Sequence, residues 1–124
     1  MKFCWSTLAV KNMEESIEFY KEIVGLEVVK RFKSGQDTEI AFLNDGETKI
    51  ELICNIDKKE INVGKDVLWG FAVDSLEDQM VLVKEKGIEI TSGPFQPNPY
   101  TKFFFVSDPN GMKIQFVENS NFLL

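Results

Sequence analysis

The sequence predicts an α+β fold in which two tandem βαβββ modules form a curved mixed sheet around a cup. Three observations predict it: an internal repeat of about half the chain, one helical pattern inside each copy, and turn signals that divide the rest of each copy into strands. The 124 residues, 44% apolar and 27% charged, suit one domain with a buried core.

The repeat is read residue by residue. Ala9-Val10-Lys11-Asn12-Met13-Glu14-Glu15 matches Ala72-Val73-Asp74-Ser75-Leu76-Glu77-Asp78, and Gly25-Leu26-Glu27-Val28 matches Gly87-Ile88-Glu89-Ile90. Phe42-Leu43 matches Phe105-Val106, and Lys49-Ile50-Glu51-Leu52-Ile53 matches Lys113-Ile114-Gln115-Phe116-Val117. The chain therefore divides into module 1 at about 1–54, a polar linker at about 55–65, module 2 at about 66–118 and a tail at 119–124, all within a single domain spanning 1–124.

Each module opens with an extended run. Asn12 and Ser75 then suit helix N-caps, with Glu15 placed to close a capping box. Met13, Ile17, Tyr20 and Val24 recur at helical spacing, as do Leu76, Met80 and Val83, and Gly25 and Gly87 are natural C-caps. Extended segments follow at 26–33, 38–43 and 48–54, and again at 88–91, 101–106 and 112–118. Asn44-Asp45-Gly46 and Asp108-Pro109-Asn110-Gly111 mark turns. Ser92 to Pro99, with three prolines and a glycine, reads as a loop at a pocket rim, with Phe95 and Tyr100 beside it.

Composition excludes several functions. The net charge is −6 with no Lys/Arg block, so nucleic acid is not an expected partner. No apolar run approaches a membrane span, and MKFCWSTLAV lacks the parts of a signal peptide. Cys4 and Cys54 do not amount to a disulfide framework, so a reducing cytoplasm is the expected setting. The chain has no histidine, which removes Ser/His and Cys/His nucleophile pairs and the commonest transition-metal ligand.

Strand alternation assigns the faces. Leu8, Val10, Ile50, Leu52, Phe71, Val73, Ile114 and Phe116 should lie under the helices, with Trp69 on the same side. Trp5, Thr7, Ala9, Glu51, Leu68, Gly70, Ala72 and Gln115 are left for the open side, and a pseudo-twofold axis would gather Trp5, Glu51, Leu68 and Gln115 around the cup. Phe103, Phe104 and Phe105 point both ways, and alternation alone leaves open which faces the cup. Glu51 reads either as a base or cation partner or as a solvated strand residue. Trp5 reads either as a stacking wall or as core filling.

The runs Ser16-Ile17-Glu18-Phe19-Tyr20 through Gly25-Leu26-Glu27-Val28, Lys49-Ile50-Glu51-Leu52, Phe71-Ala72-Val73-Asp74 and Asp108-Pro109-Asn110-Gly111 through Glu118 resemble the glyoxalase/bleomycin-resistance/extradiol-dioxygenase (vicinal oxygen chelate) superfamily over essentially the whole chain. The resemblance implies the vicinal oxygen chelate fold, a small-molecule ligand and a homodimer. It also implies that Trp5, Glu51, Leu68 and Gln115 occupy the positions where glyoxalase I relatives hold a divalent ion on His, Glu, His and Glu. Indole and isobutyl groups have no lone pair to offer a metal, and transition ions favour imidazole or thiolate.

The expected function is therefore binding of a small molecule in the cup without a transition metal or other cofactor, through Trp5, Glu51, Leu68, Gln115, Thr7 and Tyr100. The resemblance also carries an alternative, a lactoylglutathione lyase-like enzyme with an unorthodox metal site, a loosely held divalent cation at Glu51 and Gln115, or Glu51 as catalytic base. An interaction module with a vestigial cup is the third reading.

Overall fold

In each half of the chain a strand, a helix and three further strands follow one another, because the apolar period switches between two and about four at the predicted places. The computed structural model describes residues 1–44, 46–58 and 60–120. It divides into two units, Met1–Val63 and Gly64–Leu124.

Unit 1 contains β1 (Trp5–Ala9), α1 (Met13–Phe19), β2 (Val28–Ser34), β3 (Thr38–Leu43) and β4 (Lys49–Asn55). Its sheet has the order β1-β4-β3-β2, with β1 parallel to β4 and the other pairs antiparallel. Asn12 caps α1 by accepting a hydrogen bond from the Glu15 amide at 2.9 Å. The helix continues into a π-helical turn at Tyr20–Val24, closed by Gly25 at φ 84° and a Leu26 amide bond to the Tyr20 carbonyl. Leu8, Val10, Ile17, Tyr20, Ile23, Leu43 and Leu52 fill the space between helix and sheet.

Unit 2 repeats the pattern with β5 (Leu68–Ala72), α2 (Leu76–Glu85), β6 (Ser92–Asn98), β7 (Thr101–Ser107) and β8 (Lys113–Asn119). The sheet order is β5-β8-β7-β6, again with one parallel pair, β5 with β8. Ser75 caps α2 by accepting from the Asp78 amide, and Glu118 adds a second acceptor for the Leu76 amide at 2.8 Å. Leu76, Val83, Phe104, Val106, Ile114 and Phe116 are buried beneath the helix. Trp69 pairs in register with Ile114 and is half-buried on that side.

Three expectations need correction. Ser92 to Pro99 is not a loop: Ser92–Asn98 is strand β6, while 88–91 is not a strand. The prolines are accommodated because β6 is an edge strand that touches β7 at only three register points, Ser92 with Phe105, Phe95 with Phe103 and Asn98 with Thr101. Asn119 belongs to β8, opposite Thr101, so the strand extends one residue into the expected tail. Asp45 of the predicted turn, Lys59 of the predicted linker and residues 121–124 of the predicted tail lie outside the described residues.

The turn before β8 is tightly specified. The buried Asp108 carboxylate accepts from the amides of Asn110 and Met112, each at 2.8 Å, and Gly111 takes φ 90°.

Candidate functional site

The parallel register of β1 on β4 sets Trp5 beside Lys49 and Thr7 beside Glu51. The antiparallel register of β3 then sets Phe42 opposite Glu51, and that of β2 sets Lys30 opposite Phe42 and Phe32 opposite Ile40. All these side chains share the face that α1 does not cover. The Thr7 hydroxyl donates to a Glu51 carboxylate oxygen at 2.6 Å. Trp5 meets Phe42 edge-on at 5.3 Å, Phe42 stacks on Phe32 at 6.4 Å, and the Lys30 ammonium lies 5.0 Å from the Phe32 ring centre. Trp5 is 48% exposed, so it walls an open face and does not fill the core of unit 1.

A cavity of about 490 Å³ opens along this aromatic row, with Trp5, Phe42 and Val29 as its apolar surface and Lys2, Lys30, Lys49 and Glu47 as its charged one. The Lys49 ammonium is steadied by the Gly46 carbonyl at 3.1 Å.

The corresponding face of unit 2 carries Leu68 beside Lys113 and Gly70 beside Gln115. A Cβ at Gly70 would stand 3.3 Å from the Gln115 amide oxygen, so glycine leaves the amide room where Thr7 binds the carboxylate in unit 1. Phe105 pairs with Gln115 and Phe103 with Val117, and both join Phe95 in a cluster with centroid separations of 5.6 to 6.5 Å. Phe104 is fully buried on the opposite side.

The structure thus brings Trp5, Thr7 and Glu51 onto one face of unit 1, and Leu68 and Gln115 onto one face of unit 2. Tyr100 is 55% exposed at the turn between β6 and β7. A second cavity, of about 410 Å³, lies where α2 meets β6, against Met80, Pro94 and Phe95, and Tyr100 lines neither cavity. The residues the sequence did not single out are Phe32, Phe42, Lys30 and Lys2. The hairpin register pairing Phe42 with Glu51 was the signal that would have found the first two.

The four positions do not fit a transition ion. Trp5 and Leu68 offer no donor atom, and Glu51 is engaged by Thr7. Among the described residues no three His, Cys, Asp or Glu side chains gather in a way that could hold a metal.

Two βαβββ units, each with one helix-covered and one open sheet face, define a tandem-module α+β protein. The chain belongs to the Glyoxalase/Bleomycin resistance protein/Dioxygenase superfamily, whose profile matches residues 3–116. It is 29% identical to the lactoylglutathione lyase of Neisseria meningitidis over 98% of this chain and 93% of that one. With the lactoylglutathione lyase of Haemophilus influenzae the identity is 30% over 98% and 95%. Among solved structures, glyoxalase I from Zea mays superposes with a TM-score of 0.86 at 21% identity, covering 97% of this chain but 45% of the maize chain, so this chain spans about half its length. TnmS3, an antibiotic binding protein from Streptomyces, superposes with a TM-score of 0.76 at 18% identity, over 97% of both chains. No helix among the described residues is long and apolar enough to cross a membrane.

Proposed function

We propose that this chain binds a small organic molecule on its open sheet face and does so without a transition metal. The single observation that carries the reading is the row Trp5, Phe42 and Phe32 beside the Thr7–Glu51 hydrogen bond: aromatic surface stands where a relative of the lyase type would need an imidazole. Concave apolar surface with a few placed polar groups is the ordinary makeup of a ligand site. Trp5, Thr7 and Glu51 are the proposed contacts on the open face of unit 1; on the open face of unit 2, taken by itself, the proposed contacts are Leu68 and Gln115, with Tyr100 as the proposed rim. A cytoplasmic homodimer is the proposed form.

A second reading has its own support, the 29–30% identity to lactoylglutathione lyases over nearly the whole chain. In it Glu51 is the base, or Glu51 and Gln115 hold a cation loosely. One experiment separates the two. The chelator-stripped protein is incubated with Ni²⁺, Zn²⁺, Mn²⁺, Co²⁺ and Fe²⁺, desalted, and its bound metal measured by mass spectrometry. Negligible metal together with no lactoylglutathione lyase activity is expected. Stoichiometric metal that is lost in Glu51→Ala would replace the first reading with the second.

A further inference from the structure

The charge around the unit 1 cavity runs against the charge of the molecule. The chain carries −6 overall, yet among the described residues three lysines, Lys2, Lys30 and Lys49, share one cleft with a single carboxylate of its lining, Glu47. The ion pairs of Arg31 with Glu14 and Glu39 involve none of these three ammonium groups. Two of them are held in place. Lys30 lies over Phe32 at 5.0 Å, and Lys49 donates to the Gly46 carbonyl, a contact that leaves its charge uncompensated.

From this clustering we propose that the cavity takes a small organic anion with a flat apolar body, its ring against Trp5 and Phe42 and its acid group toward Lys2, Lys30 and Lys49. The inference rests on the reading of this face as a metal-free binding site and adds the sign of the ligand. Flat apolar surface matches the edge-on Trp5–Phe42 pair, which offers one ring face and one ring edge to a guest. An acid group near several lysines gains from each, modestly and in a salt-dependent way, because the cleft is open to solvent. A cationic guest would meet the same three lysines as repulsion, and among the described residues the carboxylate of Glu51, next to Phe42 in register, would compensate it together with Glu47. Among the described residues three ammonium groups stand against two carboxylates, and that excess favours the anion.

The test uses the full chain and three probes of one shape: 2-naphthoate, neutral 2-naphthamide and 2-naphthylmethylammonium, titrated by calorimetry at low and at high salt. Naphthoate is expected to bind about tenfold more tightly than the amide, the cation most weakly, and salt should erase most of the difference. Lys30→Gln with Lys49→Gln should remove the preference for naphthoate and leave amide binding in place, while Glu47→Gln should strengthen naphthoate binding. Circular dichroism checks that each variant is folded. Cys4 lines the same cavity, so naphthoate should slow its alkylation by iodoacetamide, with Cys54 as the internal reference. Equal binding of the three probes, or tightest binding of the cation, overturns the anion inference and leaves metal-free binding standing. Absence of binding by all three, or naphthoate binding that ignores the lysines and leaves Cys4 unprotected, overturns it as well. Failure of the underlying reading shows separately, as retained metal.

Discussion

Glu51 is the residue on which both functional readings turn, and its surroundings are modest: partial exposure and a hydroxyl donor from Thr7. Replacing it by glutamine keeps an acceptor for Thr7 and is expected to change unfolding free energy by less than about 1 kcal/mol in urea titration. A stability loss well above that would mean that Glu51 holds the sheet together. The three consecutive phenylalanines make a sharper comparison. Phe104→Ala removes a ring with no exposure and should cost about 3–5 kcal/mol. Phe103→Ala and Phe105→Ala truncate half-exposed rings and should cost clearly less, so equal costs across the three would contradict the assignment of faces. Alternation showed that Phe104 differs from its neighbours. It could not say which face the helix covers, because that depends on how β7 registers with β8.

At the scale of elements, Arg31 ties β2 to β3 and to α1 through Glu39 and Glu14. The hydrogen bond from Arg31 is the main cause that holds the Glu39 carboxyl below its ordinary range, against a smaller opposing effect of burial. A carboxylate whose folded pKa is depressed stabilises the protein above its unfolded pKa of about 4.3, and that contribution is lost as pH falls through the lower folded value. Glu39→Gln should therefore cost up to about 1 kcal/mol near neutral pH, and the gap from the parent protein should close in denaturation at strongly acid pH. A gap that persists there would locate the cost in packing. The turn before β8 depends on Asp108, whose buried carboxylate accepts two backbone amides. Asp108→Ala leaves those amides without their acceptor and should cost about 2–3 kcal/mol by the same measurement. The sequence announced this turn through Asp-Pro-Asn-Gly. It concealed β6, since prolines argue against a strand unless the strand lies at an edge, and edge position is a property of the assembled sheet.

For the whole molecule, the proposed homodimer predicts a melting temperature that rises with protein concentration, because mass action stabilises an assembly of folded chains. Sedimentation should then give twice the chain mass of 14.2 kDa. A concentration-independent transition with a monomeric mass would retire the dimer. The superfamily profile spans residues 3–116 and so covers both units.

The sequence by itself determined the repeat, the two helices with their N-caps, five of the six strands that follow them to within a residue or two, and the identity of the residues at Trp5, Glu51, Leu68 and Gln115. Those features rest on local chemistry: apolar period, capping side chains, turn residues and the absence of histidine, all readable without knowing what packs on what. The tertiary structure alone decided the strand status of Ser92–Asn98, the burial of Phe104 between two half-exposed neighbours, and the gathering of Trp5, Phe42, Phe32 and three lysines on one face. Each of these follows from strand order and register, which join residues more than 40 positions apart, as Thr7 and Glu51 or Gly70 and Gln115 are joined, and no local pattern specifies such pairings.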